Sequence, residues 1–243
     1  MDFDMDIFGM LSEFFDTEQY RKNPVPQNHT PEQFSAISVG AINAEQTEYF
    51  CDSLTTGSDV DEIMENLSDY YDITDRESAL ETLEWLYTSG HRVYFDAIKM
   101  AVSGQDNKIY ADGLDADDAE RIQEYISNLQ ESVDELIEEG FLNQIADIAK
   151  RSILAWDMGR LVLVTRCCFD AEYISEEEAW SYIMNAHRVC KEQYASWDEF
   201  ASGYVIGRAM WSGSDMSLMG IITIAQELLE DDESPWKQIA LKL

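Results

Sequence analysis

Asp157 and Arg160 interrupt the otherwise apolar run LAWDMGRLVLV, Leu154–Val164. They are three positions apart, so on a helix their side chains can meet. Trp156 is four positions before Arg160, close enough for the guanidinium to lie on the indole. A second arginine, Arg208, stands in GYVIGRAMW, where Tyr204, Arg208 and Trp211 fall on one helix face. Gly203 and Gly207 on that segment, and Gly159 on the other, are small enough to let two helices approach closely. The expectation is that Asp157 pairs with Arg160, Arg208 or both, in a polar–aromatic cluster with Trp156 and Trp211. Trp197 opens a helix in SWDEF and is counted with the same candidate binding residues.

Such a cluster has two chemistries. It can be a buried ion-pair network that fixes helix register, since a buried charge must be paired and hydrogen-bonded. It can instead be an anion pocket, with Arg160 and Arg208 taking a phosphate or carboxylate between Trp156 and Trp211. Acid–base catalysis fits poorly, because an arginine neighbour lowers the pKa of Asp157. No Ser/His/Asp or Cys/His arrangement stands out, so no catalytic residue is assigned and the chain leans away from an enzyme. His29, His91 and His187 show no metal-binding spacing, and GLDADDAE lacks the glycine and final glutamate of a calcium loop. Neither G-x-G-x-x-G nor a P-loop occurs. No metal and no cofactor are expected.

The elements that must position these residues read as helices. TDRE (Thr74–Glu77), SEEE (Ser175–Glu178) and SWDE (Ser196–Glu199) have the form of capping boxes, and Thr30 with Pro31 reads as an N-cap and first helical residue. Gly90 stops the helix SALETLEWLYTSG, and His91 just beyond it can cap carbonyls. A helix from about Asp115 to Gly140 carries the apolar stripe Ile122, Ile126, Leu129, Val133, Leu136 and Ile137. The segment AKRSILAWDMGRLVLVTRCCF is apolar nearly all round, the mark of a buried helix. Trp180 and Trp197 each begin a helix and suit inter-helix corners. A last helix runs through LMGIITIAQELLEDD, and KIYADG is the one short extended candidate. The fold class is all-α, a compact multi-helix domain with little or no β structure. Residues 1–30 form an acidic N-terminal segment and Pro-rich linker, and 31–243 a single helical domain.

Charge narrows the function classes. The 243 residues hold 16 Lys and Arg against 49 Asp and Glu, a formal net of −33. Such a field repels nucleic acid and anionic membrane and attracts a basic protein. Residues 1–72 carry 16 acids and two bases, whereas residues 147–211 carry ten acids and seven bases. The amphipathic start MDFDMDIFGMLSEFFD has an acidic polar side, unlike a secretory signal or a lipid-binding helix, and no stretch is apolar enough to span a membrane. Cys51, Cys167, Cys168 and Cys190 form no C-x-x-C pair and read as reduced thiols, which suits the cytoplasm.

The order LEWLYTSGHR, AWDMGR, YISEEEAW, SWDEF and GYVIGRAMW resembles the bacterial DUF1266 proteins, from about Ile37 to Trp211 or Trp236. Ala155–Arg160, Glu178–Trp180, Ser196–Trp197 and Gly207–Trp211 look like that family's hallmarks. Tyr70 or Tyr71 stands where many members carry Trp. The resemblance implies a compact helical bacterial domain and supplies no reaction. Two readings follow. One is a non-catalytic binding or interaction protein, possible versions being an immunity- or inhibitor-like cover for a basic toxin or nuclease, with speed of association supplied by charge. The other is an enzyme or sensor holding a small anionic ligand at an Arg160/Arg208 pocket.

Overall fold

The computed structural model describes residues 19–106, 108–109 and 118–242, which leaves the acidic start and most of KIYADG outside the described residues. Within them the chain is all-α, with no strand among the described residues. Helix α1 (Pro31–Ile37) begins at a Thr30 cap that closes a full box with Gln33, and a 3-10 turn leads to α2 (Ala41–Gln46). A loop then gives α3 (Val60–Tyr71), capped by Asp59. Helix α4 (Arg76–Thr88) follows, then α5 (Arg92–Val102) and α6 (Asp118–Glu138). A 3-10 turn at Ile145–Lys150 precedes α7 (Leu154–Asp170). The set closes with α8 (Glu176–Gln193), α9 (Trp197–Ser212), α10 (Met216–Glu230) and the short α11 (Pro235–Gln238).

Helix α7 is the axis of the domain. Residues on every side of it are buried, from Ala155 through Cys168, as its apolar sequence requires. Helices α8, α9, α4, α3 and α2 pack around it, and α6 and α10 close over α9. The small-residue seam forms as expected. A methyl group on Gly207 would lie 2.4 Å from Trp156 Cβ, and one on Gly159 would lie 2.7 Å from the Tyr204 ring. Only glycine lets α7 and α9 come this close.

Local starts differ from the sequence reading in three places. The cap of α4 is Asp75 rather than Thr74, because the Asp75 carboxylate accepts the Ser78 N–H and Ser78 answers from its hydroxyl. Ser196 caps α9, but Glu199 turns back to the Ala195 N–H at 2.7 Å, one residue beyond a true box. Ala149–Ile153 is not part of the buried helix. The Leu154 N–H is taken by the Ser152 hydroxyl, and the Ser152 carbonyl accepts from the Tyr194 hydroxyl, so the chain turns before α7 begins. The Ser175–Glu178 box is complete as read.

Residues 19–23 run along the domain: the Tyr20 N–H donates to the Glu45 carboxylate, and the Arg21 guanidinium donates to the carbonyls of Glu48 and Gly57. At the other end, Trp236 donates to the Ser38 carbonyl and stacks on Trp197 with rings 5.1 Å apart.

Candidate functional site

The turn between α4 and α5 brings SGHR onto α7. Gly90 holds a φ of +58°, the left-handed region that glycine enters freely, and it ends α4 as expected. A side chain there would meet the Asp157 carboxyl at 2.3 Å. With that space open, Asp157 sits against the first turn of α5 and accepts three hydrogen bonds. They come from the His91 N–H at 2.8 Å, the Arg92 N–H at 3.1 Å and the Arg92 guanidinium at 2.9 Å. Asp157 is thus a cap supplied to α5 by another helix, placed where a helix start favours negative charge. It is fully buried. Burial pushes its carboxyl up from the usual range, while Arg92, Arg160 and the amide N–H groups pull it down. The three donors and the two arginines favour its anionic form against that cost. The lowered pKa expected from the sequence is therefore corrected: desolvation is the larger influence.

The partner of Asp157 is also corrected. Arg92, and neither Arg160 nor Arg208, makes the close ion pair. The helical spacing does place Asp157 and Arg160 on one side of α7, but both reach the same foreign turn rather than each other. The Arg160 guanidinium donates to Nδ1 of His91 at 2.9 Å, lies 5.1 Å from the Trp156 ring and 5.9 Å from the Tyr71 ring. An accepting Nδ1 makes His91 a neutral tautomer carrying its proton on Nε2. Burial holds the His91 pKa well below the ordinary value, and the charges of Arg160 and Arg121 lower it further. His91 therefore receives an arginine, where the sequence suggested it would cap carbonyls.

Arg208 is buried on the far side of Trp156. It stacks on Trp211 at 4.7 Å and lies 6.0 Å from the Trp156 ring, and its guanidinium donates to the Ser217 hydroxyl. Ser217 in turn donates to Asp215, the cap of α10. Trp156 is therefore flanked by two arginines and makes an edge contact with Tyr204 at 5.1 Å. The structure brings Trp156, Asp157, Arg160, Arg208 and Trp211 into one region. It places Trp197 elsewhere, in an aromatic corner with Phe200 and Trp236, where its indole N–H donates to the Ile239 carbonyl.

Two arginines with important partners escaped the sequence reading. Arg92 had a local sign, since it follows a helix-ending glycine and a histidine. Arg166 had none. It is 1% exposed and donates to the carbonyls of Phe50, Leu54 and Thr55, and one turn later Asp170 accepts from the Thr56 N–H and hydroxyl.

His187 Nε2 meets the Leu241 carbonyl and the Ser35 hydroxyl, each at 2.9 Å, and so fastens the C-terminal strap. All four cysteines are buried free thiols, and burial pushes Cys51 and Cys167 up to about 12. Among the described residues no group of His, Cys, Asp and Glu gathers as a metal centre would require, and no helix is long and apolar enough to cross a membrane.

These features define a class: an all-α domain organised on one buried helix whose Asp and Arg clamp a neighbouring helix start. The family follows from the sequence that builds this frame. The chain belongs to the family described as "Protein of unknown function (DUF1266)", whose model matches residues 66–241 and so takes in the whole SGHR, AWDMGR and GYVIGRAMW assembly. No curated protein and no solved structure matches the chain.

Proposed function

We propose that this is a non-catalytic interaction protein of the bacterial cytoplasm, immunity- or inhibitor-like, that covers a basic protein surface. One observation carries the reading. Residues 41–72, which hold α2, α3 and the loop between them, contain nine acids and no Lys, Arg or His. Most of these carboxylates face solvent, and although Glu45, Asp52, Asp59 and Glu62 accept hydrogen bonds from neighbouring N–H and O–H groups, no salt bridge to a base is formed by any of the nine among the described residues. A unipolar face of this kind speeds association with a cationic partner and does little for stability. The buried Asp157–Arg92 and Arg160–His91 contacts serve as the frame behind it. Four buried thiols suit a reducing compartment.

A second reading is an anion site at Arg160 and Arg208. It is favoured by Arg160 Nε and Trp156 Nε1, which are buried with no hydrogen-bond partner among the described residues. Calorimetric titration against two probe sets separates the readings: phosphate, citrate and ATP on one side, small folded basic proteins on the other. The expected result is saturable binding of basic proteins alone, weakening steeply between about 50 and about 300 mM salt. Saturable binding of an anion, abolished by Arg160→Met in a folded variant, would overturn the first reading in favour of the second.

A further inference from the structure

Helix α10 turns an apolar side to solvent. Met216, Met219, Gly220 and Thr223 fall on one face of it, and Glu227 and Glu230 continue that face at the C-terminal end. Met216 is 70% exposed and Met219 40%, and no residue from Met216 to Gln226 is charged. The solvent side of a surface helix is ordinarily polar or charged. Gly220 sits in the middle of this face, where glycine costs about 1 kcal/mol against alanine. The packing of the domain does not require it, since a side chain there would meet nothing within 4 Å. Elsewhere on its helices the chain uses glycine for close approach, at Gly159 and Gly207. A glycine open to solvent beside exposed methionines has the form of a seat for another apolar segment.

The chain itself brings such a segment to the edge of the face. Its first described residues lie at the C-terminal end of α10. The Tyr20 N–H donates to both carboxylate oxygens of Glu45, and Glu227 and Asp231, at that end of α10, act electrostatically on the Tyr20 hydroxyl. Residues 1–18 precede this point, and their sequence repeats Phe3, Ile7, Met10 and Phe14 at helical spacing, with Phe8, Leu11 and Phe15 alongside. Even at the helical rise of about 1.5 Å per residue, such a length of chain spans about 27 Å, against about 17 Å from Glu227 back to Met216.

Charge and tethering choose among occupants. A basic partner finds no carboxylate between Met216 and Gln226 to draw it, and a second copy of the chain brings its own net charge of −33. A segment already joined to the domain is held at an effective concentration of about millimolar order, so a small apolar contact is enough to seat it. Repulsion opposes docking where the six acids of residues 1–18 approach Glu227 and Glu230, and the face beyond Glu227 is neutral. We propose that the Met216–Thr223 face of α10 is the docking surface for the apolar side of the chain's own residues 1–18. The proposal concerns a different face from the interaction-protein reading and stands or falls apart from it.

The test uses the full chain. It reads amide exchange in residues 3–15 and sulfoxide formation at Met216 and Met219 under dilute peroxide, both by mass spectrometry. Gly220→Glu puts bulk and charge on the face in open space, so it should keep or raise the wild-type melting temperature. It should speed exchange in residues 3–15 about tenfold. Phe8→Ser combined with Phe15→Ser leaves the described domain untouched, and should speed that exchange equally and the oxidation of Met219 about threefold. If Gly220→Glu fails to fold, the oxidation of Met219 in the phenylalanine variant decides. Protection of residues 3–15 should be the same at about 1 and about 100 μM protein. Protection that grows with concentration gives the face to a second copy and overturns the proposal. Wild-type exchange as fast as in the phenylalanine variant overturns it too and leaves the face to a foreign partner. Full protection in folded Gly220→Glu, or unchanged oxidation of Met219 in the phenylalanine variant, overturns it by placing the segment elsewhere.

Discussion

Arg160 and Arg166 leave the same helix six residues apart, both are buried, and they are satisfied in opposite ways. Arg166 spends its donors on three backbone carbonyls of the 50–55 loop, helped by Asp170 on the next residue of that loop. Burial lowers its pKa, and every contact it makes fixes chain rather than ligand. Arg160 instead meets a neutral imidazole nitrogen, the Tyr71 hydroxyl and two aromatic faces, with Asp157 near enough to act through space. The contrast separates two uses of a buried cation. One is a rivet, whose partners are orphan carbonyls that have no other donor. The other is a charge held by soft contacts, which orders its neighbours and loses less when removed.

The largest effect is expected where the Arg160 end depends on its one anion. Asp157→Ala leaves two amide N–H groups at the start of α5 without an acceptor and removes the counter-charge of Arg92, whose guanidinium keeps only the Leu86 and Tyr87 carbonyls. Loss of one partner from a buried ion pair costs about 3–5 kcal/mol. The urea midpoint should fall accordingly, with the slope of the transition unchanged. A midpoint equal to wild type would show that α5 does not need this cap and would remove the Arg160 end from the comparison.

Much of this frame was legible in the sequence, and the unread part has a common cause. Helix α7 announces its burial by being apolar all round, and Gly159 and Gly207 mark the seam with α9 because only glycine permits that approach, while Gly203 instead makes room for Tyr194 and the Ser152 carbonyl. Thr30 and Ser175 mark helix starts through chemistry confined to four residues. The charge pairing was misread because it is not local. Asp157 meets Arg92 across 65 residues of chain, and Arg166 meets the Phe50 carbonyl across 116. Spacing on one helix says which side chains share a face. It does not say what that face meets. Carbonyl partners are harder still to foresee, since every residue has one and no side-chain type marks those left bare.

Arg166→Met comes next in size. The methionine fills much of the volume, yet the carbonyls of Phe50, Leu54 and Thr55 lose their donors in a dry site. Each stranded group costs about 1–3 kcal/mol, and partial relaxation of an edge loop brings the expected total to about 3 kcal/mol. Amide exchange should speed up across residues 50–56 more than in α5. Uniform acceleration through both regions would mean that the loop and the α5 cap open as one unit, and the two arginines would then not be independent.

Arg160→Met should cost least, about 1 kcal/mol, because the groups left behind are a neutral ring nitrogen, the Tyr71 hydroxyl and aromatic faces rather than carbonyls. Its sharper readout is pH. His91 has a folded pKa well below 6.5, set first by burial and second by Arg160. Such a histidine takes its proton mainly in the unfolded chain, so its contribution is intact above about pH 6.5 and stability falls as the pH drops below it. Without Arg160, one of the two repelling cations is gone and the folded pKa moves up toward the ordinary value. The loss of stability between about pH 6.5 and 5 should therefore be shallower in Arg160→Met than in wild type, while Arg166→Met keeps the wild-type acid slope. Equal acid slopes in all three proteins would mean that burial alone sets His91, and Arg160 would then order the α4–α5 turn by contact and not by charge.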